Sequence, residues 1–138
     1  MDIQSLTEAF ELIDTWEGRF ELISDLGREL IPIVESERVD DNLVPGCDTR
    51  TWLTGSLVSG EPSVLEYRAD AETPLVRGLV AVLLMPFQGK TPEEVLETDP
   101  ARVLGPLHLD QALSAKRQAG MESFLDRVKR IARRHSNW

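Results

Sequence analysis

"TRTWLTGSLVSGEPSVLEYRADAETPLVRGLVAVLLMPF", residues 49–87, changes texture twice, and those changes decide the fold. Its first part, "TRTWLTGSL" and "SVLEYRA", is short and rich in β-branched and aromatic residues, which suit a pleated, half-buried surface. The intervening "VSGEP" supplies Gly60 and Pro62, so the pattern predicts an antiparallel hairpin. Thr73 then stands as a helix cap with Pro74 in the first turn, where a missing N–H costs nothing. The following "LVRGLVAVLLMPF" is apolar nearly all round, which predicts a buried central helix packed against the sheet.

Helical periodicity flanks this centre. Ser5 with Glu8, and Asp14 with Glu17, read as capping boxes ahead of two helices carrying Leu6, Phe10 and Ile13, then Phe20, Ile23 and Leu26. Gly27 reads as a stop, and Pro32 with "ESERVDDN" makes residues 28–42 an irregular connection with a short extended piece before Cys47. Thr91, Pro92 and Glu94 cap a further helix, Asp99 and Pro100 begin a short one, and Ser114 opens a last amphipathic helix presenting Ala119, Leu125, Val128 and Ile131. The order of helices, small antiparallel sheet, helices predicts an α+β fold. No linker, low-complexity tract or internal repeat interrupts it, so residues 1–138 are expected to form a single domain.

Charge and composition exclude several functions. A formal net charge of −9 and a pI near 4.7 disfavour nucleic acid and anionic membrane surfaces. Neither a signal peptide nor a membrane span is legible, and a soluble, cytoplasmic protein is expected. One cysteine and two histidines, His108 and His135, are too few for a zinc or cluster site, so no metal or other cofactor is expected. "GKT" at 89–91 lacks the upstream glycine and strand of a phosphate loop and reads as a loop closing onto a cap. The basic "KRIARRH" complements the negative end of the helix dipole, which accounts for it without a partner.

The remaining candidate is Cys47 in "NLVPGCDTRTWL", residues 42–53. A free cysteine is commonly a small buried hydrophobe. Pro45 and Gly46, however, make a turn that a core cysteine does not need, and the following residues are polar. Asp48 would raise the thiol pKa and Arg50 lower it, so charge alone leaves its reactivity open.

Three stretches, "NLVPGCDTRTWL", "YRADAETPLVRGLVAVLLMPFQGKTPEEVL" and "LSAKRQAGMESFLDRVK", closely resemble the SufE family in order and spacing, over nearly the whole chain. The resemblance implies a fold similar to the iron–sulfur scaffold proteins. It implies a sulfur acceptor that takes persulfide sulfur from a PLP-dependent, SufS-like cysteine desulfurase, stimulates that enzyme, and passes sulfur to a downstream iron–sulfur scaffold complex. Such a carrier is not itself an enzyme. The acceptor falls on Cys47 in "VPGC", with Gly46 supporting it, the "RAD" aspartate on Asp70, and the arginine opening the last helix on Arg117. Asp48 and Arg50 depart from the glutamine-type residues typical after that cysteine. Such a tip is expected to reach a partner yet fold back at rest into an apolar pocket, limiting oxidation. Asp70 also reads as a strand end, Arg117 as a solvated charge beside Lys116, and Trp52 and Leu53 as strand packing. The alternative function is an adaptor that binds a desulfurase or another protein with Cys47 dispensable. A thiol-dependent enzyme lacks a histidine placed as base.

Overall fold

The computed structural model describes residues 1–136 and is built on the expected α+β plan. Two helices open it, α1 (Ile3–Leu12) and α2 (Trp16–Leu26). Both begin one cap away from the expected position. Asp2, not Ser5, caps α1 by accepting the Ser5 N–H at 2.8 Å, and Thr15, not Asp14, caps α2 by accepting from Gly18 at 3.1 Å. In each case two cap-competent residues compete, and the one whose oxygen reaches the amide three residues on prevails. Arg19 locks the corner between the helices, donating to the Phe10 and Ile13 carbonyls at the end of α1 and lying over the Trp16 ring at 4.8 Å.

After α2 the chain turns through short 3₁₀ segments at Gly27–Glu29, Glu35–Glu37 and Asp40–Asn42. The hairpin follows as β1 (Thr51–Val58) and β2 (Val64–Ala71), paired antiparallel with Trp52 opposite Asp70 and Gly55 opposite Tyr67. The expected extended piece before Cys47 is present: Leu43 bridges Trp52, and Val44 N–H donates to Thr51 O at 2.8 Å. β2 alternates as a half-buried strand should, with Leu65, Tyr67, Ala69 and Ala71 facing the core. Its outer edge is closed by three unlike pieces: Lys90 and Gly89 pair with Leu65, the Gln88 side-chain amide pairs with both backbone groups of Tyr67 at 2.7 and 2.8 Å, and Ile31 accepts from Ala69. No strand edge is left open there to recruit another chain.

The central helix α3 (Pro74–Leu84) starts at Thr73 with Pro74 in its first turn, as its sequence predicts, and every residue from Gly78 to Leu84 is buried. Each of its buried valines and leucines contributes about 1.5–3 kcal/mol relative to exposure. α2 crosses it at Gly78, where a Cβ would stand 1.9 Å from the Ile23 carbonyl oxygen. Beyond it come α4 (Pro92–Glu97), with a full capping box at Thr91 and Glu94, α5 (Pro100–Leu104), capped by Asp99, and α6 (Ala115–His135), capped by Ser114. His108 joins two 3₁₀ turns in the left-handed region, at φ 53°. On α6 the buried face runs through Gly120, Phe124, Val128, Ile131 and Ala132, while Ala119 is exposed and Leu125 half-buried. Val128 and Ile131 of the expected stripe are buried, while nearer the start of the helix Gly120 and Phe124 take the places expected of Ala119 and Leu125. The Tyr67 hydroxyl donates to Val128 O at 3.0 Å, tying the sheet to α6.

Gly78→Ala is expected to lower stability by about 3 kcal/mol or more, although alanine favours a helix over glycine by about 1 kcal/mol. Urea unfolding checks this, and a variant as stable as the parent contradicts the close crossing.

Candidate functional site

Pro45 and Gly46 turn the chain between the Leu43 bridge and β1, and Gly46 takes φ 81°, a conformation other residues enter only with strain. Cys47 follows and is half-buried. Its side chain points at α6, where the Sγ lies 3.9 Å from the Gly120 carbonyl oxygen and a Cβ on Gly120 would come within 3.3 Å of the sulfur. The thiol therefore occupies a hollow that exists because position 120 has no side chain.

That hollow opens into a cavity of about 150 Å³. Its floor is apolar, made by Val76, Leu79, Val80 and Leu83 of α3 with Met121 and Phe124 of α6. Asp48, Lys116 and Arg117 contribute its polar lining. The tip thus lies folded onto an apolar pocket, as expected of it at rest. Burial pushes the Cys47 thiol pKa up; a contact with the Thr51 hydroxyl pulls it down, and the Asp48 carboxylate adds to the rise. Arg50 is turned away, facing Glu72 at 3.8 Å, while Asp48 pairs with Lys116 at 2.9 Å.

The other expected site residues divide. Arg117 is exposed in the first turn of α6, its backbone N–H held by Ser114, and among the described residues its guanidinium has neither hydrogen bond nor ion pair. It lines the same cavity as Cys47. Asp70 does not. It lies inside β2 rather than ending it, accepting from Arg38 and from Arg77 at 2.9 Å, with Arg38 also stacked 4.9 Å from the Trp52 ring. Burial raises the Asp70 pKa, but the donors Arg38, Ala71 N–H and Arg77 together outweigh it and hold the carboxyl below its ordinary range. Asp70 therefore clamps the irregular segment before the cysteine turn to the sheet and to α3. Above about pH 4 that clamp is fully formed, and it is lost as acid titrates the carboxylate through its depressed value.

Gly120, the α3 floor and the Asp48–Lys116 pair were not singled out as site features. Gly120 carried a usable signal, since a glycine inside a strongly patterned helix costs about 1 kcal/mol and so marks a close approach. Among the described residues no group of three or more His, Cys, Asp or Glu is placed to hold a metal ion, and no helix is long and apolar enough to cross a membrane.

Residues 4–132 match the family model described as "SufE: Fe-S metabolism associated domain". An uncharacterized SufE-like protein of Rhizobium etli is 29% identical over 133 residues, spanning 95% of this chain and 89% of the relative. One of Rhizobium meliloti is 31% identical over 128 residues, spanning 92% and 91%. The solution structure of a hypothetical protein from Thermus thermophilus superposes with a TM-score of 0.72 at 22% identity, covering 98% of both chains, a likeness of fold.

Alkylation of Cys47 by iodoacetamide is expected to show a pH midpoint above the roughly 8.5 of a free cysteine. Asp48→Asn should lower the midpoint, because it removes a negative charge and releases the Lys116 ammonium beside the thiol. A parent midpoint below the free-cysteine value contradicts the buried, protonated thiol.

Proposed function

The chain belongs to the SufE family, and from that premise we propose that it accepts sulfane sulfur on Cys47 from a PLP-dependent cysteine desulfurase and passes it on for iron–sulfur cluster assembly. The observation that carries this reading is the seating of Cys47: the chain's one thiol sits at the tip of a glycine turn, folded into an apolar cavity whose mouth bears the unpaired Arg117. A relay station needs one nucleophilic sulfur, whereas a cluster scaffold needs several ligands held together.

The thiolate is the nucleophile in sulfur exchange. In the cavity the thiol stays protonated, which protects it from oxidation. When the turn moves outward, burial is relieved, the pKa falls, and the proton passes to solvent. The Cys47 thiolate then attacks the terminal sulfur of the donor persulfide in line. A new S–S bond forms at Cys47 as the donor's S–S bond breaks, and the donor cysteine leaves as a thiolate. Two thiol-level sulfurs and one sulfane sulfur are present before and after, so no external oxidant or reductant is needed. Arg117, without a partner among the described residues, supplies positive charge beside the anionic sulfurs.

Incubation with cysteine and a cysteine desulfurase is expected to add about 32 Da to the parent, one sulfur, removable by a thiol reductant. Cys47→Ser should keep the fold and bind the desulfurase, yet gain no mass and give no stimulation of cysteine turnover. Arg117→Ala should slow acceptance with under about 0.5 kcal/mol change in stability, as for an exposed residue. A serine variant that stimulates turnover as well as the parent would establish the adaptor reading instead.

A further inference from the structure

Between Arg127 and Arg134 the last helix carries five cations and no carboxylate, on a chain of net charge −9. The helix dipole favours cations only within the final turn, here Arg133, Arg134 and His135. It leaves Arg127 and Arg130 unexplained. With Arg134 these two line a concavity of about 480 Å³ between α6 and β1, with Thr54 and Asp41 also on its wall. Steps of three and four residues place the three guanidiniums on one helix stripe.

Some arginines of this fold find carboxylates: Arg38 and Arg77 take Asp70, and Arg68 takes Glu37 at 2.6 Å. Among the described residues Arg127, Arg130 and Arg134 have none. Arg127 is instead fixed by donating to the Asp41 and Leu43 carbonyls at 3.0 and 3.1 Å, which positions it before any ligand arrives. Burial, then Arg130 and Arg134, lower its pKa, as expected of like charges held together. Three guanidiniums against the Asp41 carboxylate leave two positive charges in the concavity.

We propose that this concavity binds the phosphoryl dianion of a small molecule, either inorganic phosphate or a phosphate ester. A phosphoryl group offers two negative charges and three acceptor oxygens to the forks of Arg130 and Arg134 beside the fixed Arg127 charge, whereas a single carboxylate satisfies one fork. The volume falls within the range of small-ligand sites. The proposal is independent of sulfur transfer and of Cys47.

The test is titration of the full chain at low ionic strength with inorganic phosphate, with phosphoserine and with hexaglutamate, followed by backbone amide shifts in NMR. Saturable shifts at Thr54 and along α6 are expected with phosphate or phosphoserine. Equal affinity for the two identifies the phosphoryl group alone as the ligand, and tighter phosphoserine binding identifies an ester. Arg130→Ala and Arg134→Ala, both at exposed positions, should each weaken binding about tenfold, while Arg133→Ala, which lies outside the concavity, should change it less than about twofold. Absence of saturation with both phosphates, or equal weakening by Arg133→Ala, overturns the proposal. Hexaglutamate binding where neither phosphate binds also overturns it, in favour of an acidic protein segment.

Discussion

The fold depends on one buried helix, α3, and on the close approach that Gly78 permits. An apolar helix buried on every side needs neighbours on every side, and α2 can come near enough only because the Ile23 carbonyl occupies the place of a Cβ. With that contact made, β2 and the Gly27–Glu29 turn pack against other sides of the helix, and Val76, Leu79, Val80 and Leu83 become the floor of the cysteine cavity. Core and candidate site are therefore two sides of one element. A packing change in α3 would be felt at the thiol, because close-packed interiors transmit strain rather than absorb it.

A second glycine does at the surface what Gly78 does in the core. Gly120 leaves room on α6 for the Cys47 sulfur, which a Cβ there would approach to 3.3 Å, and the turn at Gly46 delivers Cys47 to that point. Burial and Asp48 together disfavour the thiolate there, so the seat stores the sulfur rather than activating it. In the proposed mechanism, storage and reactivity are separated by movement of a short turn. The clamp of Asp70 with Arg38 and Arg77 holds the segment that precedes that turn against the sheet and α3. The basic concavity of Arg127, Arg130 and Arg134 lies further along α6 and shares no lining residue with the cysteine cavity.

What the sequence made legible follows from how local the cause was. The β-branched and aromatic texture of residues 51–71 with its Gly60 and Pro62 turn, and the apolar run after Thr73, identified the hairpin and α3, because each signal is carried by neighbouring residues. The caps at Thr73, Thr91, Asp99 and Ser114 were readable from local pattern, the first three each being followed by a proline that marks the first helical turn. Where Asp2 and Ser5, or Asp14 and Thr15, competed, local pattern chose wrongly. Gln88 completing the β2 edge, and Arg38 bridging to Asp70, join residues 21 and 32 positions apart and have no local signature. Cys47 stood out as the one thiol, set at a Pro-Gly turn, and Arg117 through the family motif; the structure adds that they share one cavity, and the hollow at Gly120 required knowing what lay opposite it.

The central claim is that the Gly120 hollow seats the Cys47 thiol and keeps it protonated. Its most direct test is the alkylation rate of Cys47 at neutral pH in Gly120→Leu, with circular dichroism confirming the helical fold. The leucine side chain would fill the hollow and displace the sulfur into solvent, so the account requires alkylation several-fold faster than in the parent as the thiol pKa returns toward that of a free cysteine. A folded variant alkylated at the parent rate, or more slowly, would contradict it.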